Sequence, residues 1–380
     1  MPTRRQVLTT AGAVAFAGCS EADPGGPLSW PQLHFDAANT GYTPEGSIAA
    51  EPTVTSASLT SYPVTSAVTS EGLAFFGLEQ GHVARGTTEG TTGWTARPLG
   101  ERSPTATPAV DDDHVFVTEG TYRGTVESSV LRALERSSGA EAWRVTFDDQ
   151  FAFAPALSDE TLYVRSEAGI HAINANDGTV QWSREAEPFE VEGFDVATDI
   201  SPAVGNDTVY VPHPSGVTAH DADTGEEHWH APAQKVRAAP VFAGDVVLIS
   251  GVRSGVVAVD ADTGEAHWSW HDGGMWTSPA VADGTVYATG FNPVALDIET
   301  GDVRWEGNVL SDIFASPLVV GDSVIVTSTT ETRAFRRDGG VLRKAGETRW
   351  RVGPGSMFTP TPVDNQVLVP SLDATLSVID

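Results

Sequence analysis

Residues 219–229 read Ala219-His220-Asp221-Ala222-Asp223-Thr224-Gly225-Glu226-Glu227-His228-Trp229. Asp followed by Thr-Gly is the chemistry of a tight reversal, with glycine free to take positive φ and the polar side chains placed to bond local amides. The indole four residues later then opens the next strand. The spacing returns with Ala258, Asp260, Thr263, Gly264 and Trp268, and again with Ala295, Asp297, Thr300, Gly301 and Trp305. Looser copies join Gly90 to Trp94, Gly139 to Trp143, Gly178 to Trp182 and Gly346 to Trp350, so seven of the ten Trp follow one period. A Trp at a fixed place in a repeating hairpin is a packing residue. It is expected to lie between neighbouring units, and its truncation to Ala should cost about 3–5 kcal/mol.

Outward from this frame lies a second repeated element, a short run centred on Ala67, Pro108, Pro155, Pro202, Pro240, Pro279, Pro317 and Pro362. Each is followed by a polar turn and an alternating apolar run, such as Thr208-Val209-Tyr210-Val211 or Ser323-Val324-Ile325-Val326. Eight units spaced about 42 residues apart predict four short strands each, the size of one propeller blade. The Ala-x-Asp-x-x-Thr-Gly-x-x-x-Trp frame resembles the tryptophan-docking repeat of the pyrroloquinoline-quinone-type β-propellers, which include the outer-membrane assembly factor BamB and the quinoprotein dehydrogenases. The resemblance covers roughly residues 30–380 and implies an all-β, eight-bladed propeller of four-stranded blades in a single domain. The last unit stops at Val378-Ile379-Asp380 without its fourth strand, while Pro52 to Leu59 is a strand-like run without a blade. An unpaired edge is a liability, so the N-terminal run is expected to complete the last blade.

The first nineteen residues read as an address. Thr3-Arg4-Arg5-Gln6-Val7-Leu8 followed by small and apolar residues to Ala17 looks like a twin-arginine export signal. Its eleven-residue apolar stretch is short for a span of ~30 Å. Phe16-Ala17-Gly18-Cys19 resembles a lipobox, which implies lipidation of Cys19, the only cysteine, and a membrane contact through the lipid anchor alone. Residues 20–29 read as a flexible linker, and the body is expected on the outer face of the cell membrane. Asn206-Asp207-Thr208 is an acceptor sequence for N-glycosylation.

Composition narrows the function classes. A formal net charge of −29 repels polyanions, so no nucleic-acid partner is expected. Basic residues number 22 against 51 acidic ones, and only Lys235 and Lys344 are Lys. An acidic, lysine-poor surface resembles proteins of extreme halophiles, whose high salt screens such self-repulsion, and a haloarchaeal origin is expected. A single Cys excludes an internal disulfide, a zinc ribbon and an iron-sulfur cluster.

Candidate chemistry is sparse. The quinoprotein dehydrogenases would imply a quinone, calcium and an adjacent-Cys disulfide, and the sequence has no vicinal Cys pair, nor can calcium ligands or a catalytic Asp be matched to it. Asp260-Ala261-Asp262-Thr263-Gly264 opens like an EF-hand loop but lacks Glu at position twelve and falls inside the repeat. His228, His230, His267 and His271 invite a metal, yet no Cys or carboxylate completes a recognisable frame. No phosphate loop and no nucleophile elbow is present. The expectation is therefore a non-enzyme without a cofactor or metal. As a monomer, it would bind an envelope protein or small ligand; the alternatives are a pyrroloquinoline-quinone-dependent dehydrogenase and a purely structural cell-surface protein. Three residues before each repeat Pro, or its equivalent, stand Val64, Thr105, Ala152, Asp199, Arg237, Trp276, Phe314 and Thr359, which should ring one mouth of the central channel. Phe151, Phe153, Met275, Met357 and Phe358 should add apolar surface there, an aromatic mouth that suggests binding. Asp199, Arg237, Trp276, Phe314 and Phe358 are the binding candidates; ordinary packing where the blades converge, or an Asp199–Arg237 ion pair, is the alternative.

Overall fold

The computed structural model describes residues 29–86, 93–121, 128–148, 151–189, 200–271, 277–307, 313–338, 345–353 and 355–380. Every regular element among these is a β-strand. They form eight sheets, taken here as blades 1 to 8, over residues 68–96, 103–148, 156–185, 203–232, 241–270, 280–306, 318–352 and 361–379. Blade 4 gives the plan. Ala203–Gly205, Thr208–His213, Gly216–Asp221 and Glu227–Pro232 pair antiparallel in that order from axis to rim. Innermost strands of successive blades touch, and Val68–Ser70 of blade 1 meets Thr361–Val363 of blade 8, which closes the ring. Second strands such as Val246–Gly251 are almost wholly buried because both faces of a blade pack on neighbours, whereas outer strands such as Glu227–Pro232 are mostly exposed.

The antiparallel meander gives the ring two unlike faces. Crossings between blades and the turns between second and third strands lie on one, here the crossover face. Turns between first and second strands, and between third and fourth, lie on the other. Several first turns hold non-glycine residues at positive φ, as at Asn206 (49°) with Asp207 (56°), the backbone of a two-residue hairpin turn matched to strand twist.

Blade 8 is completed as expected. Val54–Ser58 pairs antiparallel with Thr375–Ile379 over five residues, from Val54 opposite Ile379 to Ser58 opposite Thr375. Ser56 Oγ and Ser377 Oγ stand 2.8 Å apart across the join. The two ends of the propeller thus share one sheet, and the outer edge of Thr375–Ile379 is paired, which gives blade 8 its fourth strand.

The Trp frame resolves into a blade-to-blade contact. Each Trp stands opposite the frame Ala in its own blade, as Trp229 does Ala219 and Trp268 does Ala258. A register shift follows that pair directly, so the small Ala leaves room for the indole and the bulge turns it outward. The indole then reaches the next blade: Trp182 Nε1 donates to Ala222 O at 2.8 Å, Trp229 to Ala261 O at 3.0 Å and Trp268 to Ile298 O at 2.7 Å. The frame glycine of each of blades 2 to 7 therefore contacts the Trp of the preceding blade and not its own, while Gly90 of blade 1 lies outside the described residues. A Cβ on Gly225 would lie 2.6 Å from Trp182 Cε3, and one on Gly301 2.7 Å from Trp268. Trp350 of blade 7 differs, because blade 8 has no third turn of its own. Its Nε1 is buried without a hydrogen-bond partner among the described residues.

Candidate functional site

Residues 30–43 occupy the axial end of the ring on the face opposite the crossovers. This segment visits the blades in order. Trp30 exchanges backbone bonds with Thr69 at 2.8 Å in blade 1, and Val110 N donates to Pro31 O at 2.7 Å in blade 2. The Gln32 side chain takes the place of a backbone in blade 3, accepting from Leu157 N at 2.7 Å and donating to Leu157 O at 3.0 Å. Val204, Phe242, Val281 and Val319 then donate to Ala37, Ala38, Thr40 and Gly41 in blades 4 to 7. All seven blade residues hold the same register, two after the repeat Pro or its equivalent. Ser47 N reaches Asn365 Oδ1 of blade 8 at 3.1 Å. Asn39 ties blades 4 and 5 together, its Nδ2 donating to Pro202 O and Pro240 O at 3.0 Å each. Leu33 packs on Ala106 and Ala154 of the inner strands. His34 is 2% exposed with no partner for either ring nitrogen among the described residues, and burial drives its pKa down to about 3. The Asp36 carboxyl accepts from Thr40 N at 2.9 Å and Thr40 Oγ1 at 2.6 Å, yet burial still raises its pKa to about 6. We call this segment the plug, and its side of the ring the plug face.

The opposite mouth is bordered by the segments that lead into the inner strands. Thr105, Ala152 and Thr359 are buried there, Val64 and Arg237 are partly exposed, and Phe314 is 47% exposed. Their polar groups join blades to one another. Thr105 Oγ1 donates to Ala152 O at 3.3 Å, Ser316 N to Thr359 Oγ1 at 3.2 Å, and Thr359 N to Ser66 Oγ at 3.0 Å. Asp199, Trp276 and Met275 lie outside the described residues, as does Cys19. Phe151, Phe153 and Phe358 do not offer the apolar surface expected of them. Phe151 and Phe153 turn inward onto Phe189 and Ile200, with ring centroids 5.3 and 5.5 Å apart along the Phe151–Phe153–Phe189 series, and Phe358 is 9% exposed. Ala152, between Phe151 and Phe153, is buried as well, so the whole run is taken up by packing where the blades converge. Met357 stays outward at 42%.

Sequence reading missed two buried ionic groups on the crossover side. Glu119 is fully buried between blades 1 and 2, where it accepts from His82 Nε2 at 3.0 Å, Arg132 Nη1 at 2.5 Å and Leu99 N at 2.8 Å. Burial alone would raise its pKa; these donors outweigh burial and hold it below the usual carboxylate range. Arg165, also fully buried, donates to Pro212 O at 3.1 Å, Gly169 O at 3.0 Å and the carbonyls of Ser166 and Glu187. Both arise at single strand positions that do not repeat, so periodicity gives no signal for them.

Glu187, His213 and Ser215 gather nearby in the composition of a hydrolytic triad. The geometry differs from one. Glu187 Oε2 is 2.8 Å from His213 Nδ1, and Ser215 Oγ approaches the same Nδ1 at 3.2 Å. A relay needs carboxylate and hydroxyl on opposite ring nitrogens, whereas here Nε2 is buried without a partner among the described residues. His228 and His230 lie on the outer strand of blade 4, with His230 4.9 Å from the ring of His213, while His267 approaches Asp260 at 3.7 Å in blade 5. His271 is exposed just beyond the blade 5 outer strand. Among the described residues no three His, Cys, Asp or Glu side chains converge in a metal-binding group.

Known proteins share this architecture. BamB from Moraxella catarrhalis superposes with a TM-score of 0.67 at 17% identity, covering 87% of this chain and all of that one. Quinohemoprotein alcohol dehydrogenase from Comamonas testosteroni gives 0.70 at 15% identity over 92% of this chain and 80% of that one, and the computationally designed Ika8 protein 0.67 at 16% over 84% and 98%. No curated protein sequence matches the chain. The family profile described as outer membrane protein assembly factor BamB matches residues 79–292 and 271–355, well over half the chain. By that match across the repeated blades, the chain belongs to the BamB family of β-propellers.

Proposed function

We propose that the chain is a non-catalytic propeller scaffold of a halophile, exported by its twin-arginine signal, held outside the cell membrane by lipid on Cys19, and working as a monomer that binds a protein partner or small ligand at the envelope. The observation that carries this reading is the contrast between the two faces of the ring. One mouth is stopped by the protein's own residues 30–43, bonded to the inner strands, which leaves the crossover face to meet other molecules. Membership of the BamB family supports a scaffold or protein-binding role. Residue 30 sits at the plug face, and the ten residues 20–29 reach at most about 35 Å, so an anchor at Cys19 would hold the plug face toward the membrane and turn the crossover face away from it. Affinity capture from envelope extracts tests the role: recovery of one stoichiometric partner supports it, and recovery of none favours a purely structural cell-surface protein.

A quinone-dependent dehydrogenase is the second reading, favoured by likeness in fold to the quinohemoprotein enzyme. The described mouth residues fit such a cofactor poorly, because Thr105 and Thr359 are engaged between blades and no acidic cluster stands ready for calcium. Titration with pyrroloquinoline quinone and calcium, followed by absorbance, separates the two readings: stoichiometric binding would overturn the scaffold.

A further inference from the structure

We propose that the crossover face over blades 5 to 8 and blade 1 docks an acidic, amphipathic segment of a partner protein; this rests on the scaffold reading and names the surface and the chemistry of what it holds. Eight large apolar side chains are exposed among the described residues, and Val54, Val180 and Val303 among them lie on outer strands. The other five all fall on the crossover face. Phe291, 67% exposed, tips the second turn of blade 6, and Phe314, at 47%, leads into blade 7. Met357, at 42%, leads into blade 8, Leu372, at 52%, tips the second turn of that blade, and Tyr62, at 55%, leads into blade 1. Consecutive blades thus carry an arc of aromatic, thioether and aliphatic side chains, the residue types that protein interfaces bury at their centres.

Blade 5 supplies the charge at one end of the arc. Val252 N donates to Lys235 O at 3.0 Å and Arg253 N to Gln234 O at 3.3 Å, which clamps the crossing into blade 5 against its second turn. Lys235 and Arg253 are exposed side by side there, and among the described residues neither forms an ion pair with a carboxylate. Basic residues number 22 against 51 acidic ones in this chain, so two unpaired cations together make a local exception. Beyond blade 5 the crossover face is mixed, since Glu79 and Asp373 are exposed in the second turns of blades 1 and 8, whereas the first turns of the plug face carry Asp207, Asp245, Asp283, Asp322 and Asp364. An occupant with carboxylates at its end over blade 5 and apolar side chains along the rest matches cations and arc at once, and keeps its charge away from Glu79 and Asp373. A basic segment would lose the contact with Lys235 and Arg253, and nucleic acid would leave the arc unfilled. Trp30, the first residue of the plug with a backbone bond to a blade, stands on the far side of the ring from this surface.

The test uses the full chain in high salt and a fluorescent twelve-residue peptide whose Phe and Leu alternate with Asp or Glu in one half and with Ser in the other, beside a copy with Lys in place of the acids. The acidic peptide should bind, and the basic copy should bind at least about tenfold more weakly. Phe314→Ser with Met357→Ser, and separately Phe291→Ser, should each weaken binding about tenfold while leaving the melting temperature unchanged. Lys235→Glu with Arg253→Glu should weaken it by a similar factor and flatten its salt dependence. Equal binding of both peptides, or binding indifferent to these variants, overturns the proposal. So does concentration-dependent dimerisation that Phe314→Ser abolishes, or uptake by neutral phosphatidylcholine vesicles in place of peptide. Should envelope capture recover a partner that every variant still holds, the scaffold reading stands and this surface falls.

Discussion

Replacing Gly225 by Ala isolates the contact that the Trp frame was built for. Gly225 has φ of +70°, and a Cβ there would lie 2.6 Å from Trp182 Cε3 and 2.8 Å from Trp182 Cδ2. Three costs combine. The left-handed backbone costs about 1 kcal/mol in a residue with a Cβ. Displacing a packed indole costs about 1–2 kcal/mol, and loss of the Trp182 Nε1 bond to Ala222 O about another 1 kcal/mol. The expected loss is about 3–4 kcal/mol. Gly244 is the matched control, with φ of +71° and nothing within 4 Å of its Cβ position, so Gly244→Ala should lose only the backbone share of about 1 kcal/mol. Urea unfolding of both variants in high salt measures the difference. In a Trp182→Ala background Gly225→Ala should fall to the cost of its control, because the partner it displaces is gone. Equal losses for Gly225→Ala and Gly244→Ala in the parent protein would refute indole docking as the reason for the glycine.

The other predictions concern closure, the odd Trp and acid. Ser56→Cys with Ser377→Cys, made with Cys19→Ser, should form a disulfide across the closing strand and stabilise the ring by about 3–5 kcal/mol until reduced; no change on reduction would argue against the pairing. Trp182→Phe should cost about 1 kcal/mol more than Trp350→Phe in urea unfolding, since only Trp182 has an Nε1 bond to lose. Burial lowers the pKa of His34 to about 3 and of His171 to about 4, and lowers His82, His213 and His220 as well. Between their ordinary 6.5 and these folded values the unfolded chain takes up protons that the folded chain refuses, so stability is full above pH 6.5 and falls on acidification. Asp36, raised from 3.8 to about 6, opposes this between those two values, because there the folded chain holds the extra proton. Five histidines against one Asp predict a net loss from pH 7 to pH 5 in chemical unfolding, and a gain would reverse the argument.

Blade number, strand number and closure were legible because each depends on a pattern carried in one dimension: eight Pro or Pro-equivalent sites, a fixed Gly-to-Trp spacing and one strand lacking a blade. Which copy packs on which is a different kind of information. Gly225 and Trp229 are four apart in sequence, yet Gly225 meets Trp182, because the bulge after Ala172 turns that indole toward the next blade. At the mouth, Phe314 is exposed while Thr105, Ala152 and Thr359 at the same repeat position are buried, because each blade packs its entry segment differently against its neighbour. Arg165 and Glu119 occur once each and leave no periodic trace. The apolar arc was hidden for another reason: Tyr62 lies in a crossing while Phe291 and Leu372 lie in second turns, and the two kinds of segment come together only because they share a face.

A ring of near-identical blades has no intrinsic reason to close at eight, since each interface resembles the next and a seventh or ninth copy could meet the first with similar contacts. The segment from Trp30 to Ser47 removes that ambiguity by offering one hydrogen-bonding group to each blade in turn. A ring of seven would leave Ser47 N without its partner in blade 8, and a ring of nine would leave the inner strand of one blade without a group from the segment, so each miscount forfeits a bond that eight blades supply. The N-terminal segment acts as a tally stick: it is made before any blade exists, yet it is satisfied only when the eighth has arrived.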